Sequence, residues 1–121
     1  MALVDEILRR HGIDAPATLL PRQGIGAHAW AAGGVVVKLA RAGCAAEIVR
    51  EAAAGPVARA AGVRTPALVA WAQEGDDAYS VWERVDGEPL AERSDGAAWR
   101  DVGRQLAILH EHARCERSAV L

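Results

Sequence analysis

The sequence predicts an α+β fold, in which a five-stranded antiparallel sheet packs against one helix and is flanked by an N-terminal and a C-terminal helix. The first observation is the order of the apolar patterns, which runs helix, three strands, helix, two strands, linker and helix. The second is the shortness of the connections between strands, several of which carry glycine and favour tight hairpins. The third is the length of 121 residues, 51% of them apolar, which suits a single hydrophobic core.

A helix and two short strands are predicted within the first 31 residues. Apolar residues at helical spacing predict a helix over residues 2–11, and Gly12 follows it as a stop signal. A short strand is predicted over residues 18–20. A glycine-bearing loop over residues 24–28 then leads into a second strand over residues 29–31.

The strongest strand pattern covers residues 35–39, directly after a two-residue Gly33-Gly34 turn. A helix follows over residues 47–61, and we expect Gly55-Pro56 to kink or restart it because proline cannot donate a backbone hydrogen bond. The remaining predicted elements are strands over 67–73 and 78–85 joined by a turn at 75–77, a linker over 86–89, and a helix over 96–113 with Asp95 as its N-cap.

Composition excludes several classes of protein. The net charge is −2 and no basic residues cluster, which argues against nucleic-acid binding. Asp5 and Glu6 are incompatible with a signal peptide, and the chain has no run of about 18 apolar residues that could span a membrane. Cys44 and Cys115 lie far apart and form no CxxC motif, which predicts a reduced, cytoplasmic protein.

The tryptophans and the histidines near the C-terminus are expected to be structural residues. The chain contains no Phe, so its four tryptophans (Trp30, Trp71, Trp82 and Trp99) are expected to fill the core. His110 and His112 could suggest a metal site with Cys115. Their side chains would leave a helix about 200° apart, however, so they cannot share an ion there.

Lys38 is the single lysine beside thirteen arginines. Strand alternation places Lys38 and Val36 on one face, and the next helix carries Glu47 and Glu51 one turn apart. A strand lysine paired with a helix glutamate is the arrangement that positions nucleotide phosphates in kinases. A solvent-exposed lysine at the end of a strand is the alternative.

The order of glycine loop, strand lysine, helix glutamate, hairpin and linker resembles the N-terminal lobe of the aminoglycoside phosphotransferase family. That family has a kinase-like fold, which it shares with choline and homoserine kinases. The resemblance extends over roughly residues 15–112 and is carried by segments 35–41, 50–51, 62–66, 82–90 and 103–110.

The resemblance implies an ATP-binding role for the residues around Lys38. Lys38 would contact the α and β phosphates, and Glu51 would hold Lys38 in place, with Glu47 as the fallback partner. The loop containing Gly24 and Gly26 would fold over the phosphates and donate backbone N–H groups. A simple hairpin loop and a solvated helix face are the alternatives for these glycines and for Glu51.

The resemblance also implies a site for the adenine. Val36 would lie over the adenine ring, and Trp82 would sit at the back of the pocket. The Glu83 carbonyl and the Val85 amide would pair with the adenine edge at a hinge. Residues 86–87 would then lead toward a second lobe, although a turn following a strand is the alternative for them.

The catalytic half of such an enzyme is missing from these residues. The family's second lobe carries an HxDxxxxN loop and a later metal-binding Asp. The loop Asp accepts the substrate proton, and the Asn and the second Asp hold magnesium. This chain has no Asn, and none of its four histidines is followed by Asp two positions later. We therefore expect a nucleotide-binding lobe with its hinge over 1–90, and over 91–121 a linker and the first helix of an absent C-terminal lobe.

Three functions follow as hypotheses. The first is a nucleotide-binding lobe of an ATP-dependent small-molecule phosphotransferase that acts on an alcohol group. It would have no catalytic residue and no metal ligand, and it would bind Mg-ATP weakly or only with a complementing C-terminal lobe. The second is a non-catalytic interaction module or remnant lobe that docks a partner. The third is a fragment of a longer, active gene product.

The predicted C-terminal helix presents one apolar stripe. Its members, which continue to Ala113, recur at alternating spacings of three and four and are Trp99, Val102, Leu106 and Leu109. The stripe either folds back on the strands or stays exposed as a patch. An exposed stripe predicts self-association or binding of a complementing chain.

Overall fold

The computed structural model describes residues 3–21, 23–86 and 96–120, with side chains described up to residue 112. The predicted α+β fold is confirmed, since the sheet has five strands in the order β1-β2-β3-β5-β4 with every neighbouring pair antiparallel. The strands are β1 (Thr18–Leu19), β2 (Ala27–Ala32), β3 (Val35–Ala40), β4 (Leu68–Glu74) and β5 (Asp77–Glu83). The helices are α1 (Leu3–Arg10), α2 (Ala45–Ala60) and α3 (Gly96–Val120).

Two tight hairpins set the register of the sheet. Gly33 has a φ of 56° in the β2–β3 turn, and Gly75 has a φ of 61° in the β4–β5 turn. Backbone with positive φ is strained for residues that carry a Cβ, so glycine suits both turns. The β2–β3 hairpin places Ala29 opposite Lys38, which faces Ser80 of β5 on its other side.

Helix α1 covers one face of the sheet. Its buried residues Val4, Ile7 and Leu8 join a core cluster with Val37 and Val81 of the central strands. This cluster is the larger of the two cores among the described residues. A hydrogen bond of 2.8 Å between His11 Nε2 and the Tyr79 hydroxyl ties the end of α1 to β5.

Helix α2 covers the opposite face. Ala45 and Ile48 pack against Ala78 there, and Gly55 lies against the ring of Trp82. The expectation that Gly55-Pro56 kinks or restarts the helix is wrong, since α2 runs unbroken from Ala45 to Ala60. The proline costs one hydrogen bond, but packing against the sheet holds the helix together across it.

Helix α3 touches the rest of the described chain through the segment after α2. Arg64 forms an ion pair with Asp101, and its amide donates a hydrogen bond of 2.6 Å to Gln105 Oε1. The helix reaches Val120, beyond the predicted end at residue 113. The predicted N-cap Asp95 and most of the linker lie outside the described residues.

The apolar stripe of α3 does not fold back on the strands. Its four side chains are exposed, at 53% for Trp99, 37% for Val102, 48% for Leu106 and 37% for Leu109. The expectation that all four tryptophans fill the core is also wrong, because Trp71 is exposed as well and only Trp82 is fully buried. No helix within the described residues is both long and apolar enough to cross a membrane.

Candidate functional site

A cleft of about 580 Å³ lies between the β2–β3 hairpin and helix α2. The segment that precedes β2 forms its cover, β3 forms its floor, and the first two turns of α2 form one wall. This volume lies in the range typical of small-molecule sites. The lining residues are Leu20, Gly24, Ile25, Gly26, Ala27, Ala29, Val36, Lys38, Glu47, Ile48 and Glu51.

The predicted pairing of Lys38 with Glu51 is present in this cleft. Lys38 Nζ lies 3.2 Å from Glu51 Oε1, which brings together a residue of β3 and one from the second turn of α2. The side chains are 34% and 50% exposed, so solvent screens the pair. A pair of this exposure contributes well under about 1 kcal/mol to stability. Its main consequence is to fix where the ammonium group points.

Glu47, the fallback partner, does not pair with Lys38. Its carboxylate instead lies against the backbone of Gly26, and a Cβ added at Gly26 would overlap Glu47 Oε2 and lie 3.1 Å from Glu47 Cδ. Gly26 therefore permits a close approach between the glycine loop and the first turn of α2. The two glutamates, one turn apart, thus have different partners.

The glycine loop is shorter than predicted. Ala27 and His28 belong to β2 and pair with Ala40 and Leu39 of β3, because the apolar pattern of β3 continues to Ala40 and extends the hairpin. The amide of Arg41 donates to the Gly26 carbonyl at 3.0 Å, which closes the hairpin end. The segment outside β2 that can cover a ligand is therefore residues 24–26.

Gln23 is a residue of the site that sequence reasoning missed. Its side-chain amide donates to the carbonyls of Leu20 and Ala29, and its Oε1 accepts from the Ala29 amide at 2.8 Å. One side chain thus connects Leu20, the residue after β1, with β2 at the base of the loop. The sequence signal that could have revealed this role is a glutamine directly before the first glycine of the loop, since its side chain can both donate and accept hydrogen bonds.

Val36 lies on the floor of the cleft, as predicted from strand alternation. It faces Ala31 of β2 and Trp82 of β5 across the sheet. Trp82 itself does not line the cleft. It is 8% exposed, and its indole nitrogen donates a 2.8 Å hydrogen bond to the buried Ser80 hydroxyl.

The predicted hinge residues lie at the end of β5. Glu83 closes that strand, and its amide donates to the Ala67 carbonyl at 2.9 Å. Val85, two residues later, is 65% exposed. Neither residue lines the cleft, so the structure brings Gly24, Gly26, Val36, Lys38 and Glu51 together but leaves Trp82, Glu83 and Val85 outside this group.

The described residues contain no group of three or more His, Cys, Asp or Glu side chains that could hold a metal ion. Among the described residues that line the cleft, two carry carboxylates, and Glu51 is already paired with Lys38. Magnesium prefers octahedral oxygen ligands, and this donor set does not supply them. We therefore assign no metal ligand within the described part of the chain.

Comparison with known proteins identifies relatives of this fold. A family model described as the phosphotransferase enzyme family matches residues 26–118. The crystal structure of aminoglycoside-3'-phosphotransferase of type VIII is similar, with 25% sequence identity and a TM-score of 0.55. The match covers 74% of this chain and 36% of that one. None of the curated proteins matches this chain.

These matches confirm the kinase-like N-terminal lobe that the sequence predicts. The segment matched by the family includes β2, β3 and α2, and so includes Lys38 and Glu51. It begins at Gly26, so Gly24 precedes it.

Proposed function

The chain belongs to the phosphotransferase enzyme family, and from that premise we propose that it is the nucleotide-binding lobe of an ATP-dependent small-molecule phosphotransferase. The observation that carries the proposal is the ion pair between Lys38 and Glu51 at 3.2 Å inside a cleft covered by a glycine loop. In kinases this pair holds the lysine against the nucleotide phosphates.

Each part of the cleft has a role in this proposal. Lys38 supplies the positive charge for the α and β phosphates, and Glu51 keeps its flexible side chain pointing into the cleft. The loop with Gly24 and Gly26 donates backbone N–H groups to the phosphates, with Gln23 anchoring its base. Val36 packs against the adenine ring.

The adenine edge is proposed to pair with the chain just after β5. The Glu83 carbonyl would accept from the adenine amino group, and the Val85 amide would donate to a ring nitrogen. Val85 is 65% exposed, which is compatible with a ligand reaching this segment. Trp82 would support the site from behind, through its cross-strand contact with Val36.

Phosphate transfer needs groups that these 121 residues do not provide. There is no Asn in the sequence, no histidine has an Asp two positions later, and the described residues contain no metal cluster. We propose that the 121 residues alone bind ATP or Mg-ATP but do not transfer phosphate. Where this lobe acts together with a catalytic lobe, we propose that the acceptor is a small molecule with an alcohol group. Because Cys44 and Cys115 form no CxxC motif, we propose that the protein is reduced and cytoplasmic.

Thermal shift with Mg-ADP tests the proposal. We expect Mg-ADP to raise the melting temperature of the wild-type chain and to have little effect on Lys38→Met. Arg100→Met, which removes an exposed cation of α3 outside the cleft, is the matched control and should respond like the wild type. The absence of a shift in the wild type and the control would refute nucleotide binding, and phosphate transfer by the 121 residues would refute the proposed inactivity.

A second candidate function rests on the exposed stripe of α3. We propose that Trp99, Val102, Leu106 and Leu109 pack against the second lobe of a phosphotransferase, whether that lobe continues this polypeptide or comes from another chain. Without that lobe the stripe should promote self-association. Sedimentation velocity should show concentration-dependent dimers of the 121 residues that disappear in Trp99→Ser/Leu106→Ser. A wild type that stays monomeric at high concentration would contradict this.

A further inference from the structure

Among the described residues that line the proposed nucleotide cleft, two glutamates face a single lysine. The charged side chains that line it are Lys38, Glu47 and Glu51. Because Lys38 is already paired with Glu51, the charge of Glu47 remains uncompensated among the lining residues. The wall formed by α2 therefore presents a carboxylate to any ligand that enters the cleft.

The carboxylate of Glu47 lies next to the loop that is proposed to bind the phosphates. It occupies the space beside Gly26 that a side chain would otherwise fill. That glycine belongs to the loop whose N–H groups are proposed to receive the phosphates. An anion bound under the loop would therefore lie within a few ångströms of another anion.

No described cation neutralises Glu47. Glu51 pairs with Lys38 and Glu83 with Arg59, and no described Lys or Arg forms an ion pair with Glu47. Arg41 is close in sequence and its amide binds the Gly26 carbonyl, but Arg41 does not line the cleft. Glu47 is itself exposed, so its carboxylate is free to move when a ligand arrives.

We propose that Glu47 is a specificity-determining residue of this cleft, which weakens binding in proportion to the negative charge of the ligand's phosphate chain. The inference rests on the proposed function. Repulsion between the carboxylate and the phosphates opposes entry of a free polyphosphate, whereas an uncharged nucleoside is unaffected. Binding of a charged nucleotide then requires the Glu47 side chain to leave the glycine loop.

Isothermal titration calorimetry with adenosine, ADP and ATP in the presence of EDTA tests this inference. We expect Glu47→Gln to bind ADP about three- to tenfold more tightly than the wild type, with a larger gain for ATP and none for adenosine. The gain should shrink as salt is added, because ions screen exposed charges. Glu47→Asp, which keeps the charge, should show a smaller gain or none.

Glu74→Gln is the matched control. It removes a carboxylate at the end of β4 that does not line the cleft, and it should leave all three affinities unchanged. If the wild type binds ADP measurably and Glu47→Gln binds it equally or more weakly, the inference is overturned and the proposed function stays intact. An equal gain for adenosine would also overturn it, because the effect would then not depend on charge.

A failure of the proposed function gives a different result. In that case neither ADP nor ATP binds to the wild type or to any of the variants, and the inference falls with it. Binding of ADP to Glu47→Gln alone, at concentrations where the wild type shows none, would support both proposals.

Discussion

Gly55 of α2 lies directly against the indole ring of Trp82 in β5. A Cβ added at Gly55 would come within 2.7 Å of Trp82 Cη2 and 2.9 Å of Cζ3, closer than real carbon atoms approach. Trp82 is buried and held by its hydrogen bond to Ser80, so the ring has little room to yield. This contact determines how closely α2, which carries Glu51, approaches the sheet that carries Lys38.

Replacement of Gly55 by Ala should therefore destabilise the fold. Overpacking lowers the free energy of unfolding by about 1–3 kcal/mol. The higher helix propensity of alanine relative to glycine offsets about 1 kcal/mol of that loss. We expect Gly55→Ala to lower the free energy of unfolding by about 0–2 kcal/mol in urea denaturation, and to leave the variant about 1–3 kcal/mol less stable than Gly103→Ala. Gly103→Ala in α3 is the control, because nothing lies within 4 Å of its added Cβ. A Gly55→Ala variant as stable as Gly103→Ala would contradict the close contact.

The hydrogen bond between Trp82 and Ser80 predicts a non-additive pair of substitutions. Ser80 is fully buried, so Ser80→Ala leaves the indole N–H without its partner at a cost of about 1–3 kcal/mol. In a Trp82→Phe background the same change should cost clearly less, since no donor remains to be satisfied. Denaturant unfolding of the four proteins of this double-mutant cycle measures the difference. Strictly additive losses would show that the bond contributes nothing.

Glu51 should matter for binding more than for stability. Its pair with Lys38 is half exposed, so Glu51→Gln should change the free energy of unfolding by less than about 1 kcal/mol. Affinity for Mg-ADP should nevertheless fall several-fold, because Lys38 loses the group that orients it. Calorimetric titration and urea unfolding of the same variant separate the two effects. A large loss of stability with unchanged affinity would assign Glu51 a purely structural role.

Gln23 should control the order of the glycine loop. The Ala29 amide donates to Gln23 Oε1 at 2.8 Å, so Gln23→Ala removes its acceptor. We expect hydrogen exchange of the Ala29 amide to become at least several-fold faster, while amides of β5 keep their protection. Gln73→Ala provides the control, since that side chain binds only within the β4–β5 turn. Unchanged exchange at Ala29 would contradict the connection that Gln23 makes between Leu20 and β2.

Local patterns are sufficient to predict most of the sheet and the centre of the cleft. Alternation in β3 places Val36 and Lys38 on one face, and helical spacing brings Glu51 to that same face. The two glycine turns define the hairpins because their positive φ values favour glycine. These features depend on neighbours a few residues apart in the sequence, which is why periodicity reveals them.

Features that depend on contacts between residues far apart in the sequence are not predicted by local patterns. The helix continues through Pro56 because Gly55 packs on Trp82, a residue 27 positions away. The choice between Glu47 and Glu51 as partner of Lys38 depends on the height of α2 above the sheet, which the residue types do not specify. The exposure of Trp71 and Trp99 likewise depends on which faces the other elements leave uncovered.

The most direct test of nucleotide binding uses the fact that Lys38 is the only lysine in the chain. Protein labelled with ¹³C at lysine Cε should give a single side-chain NMR signal from this site. We predict that the signal shifts when Mg-ADP is added and responds much less to adenosine, because the ammonium group contacts the phosphates. A lysine signal that stays unmoved at saturating Mg-ADP would contradict the proposed site.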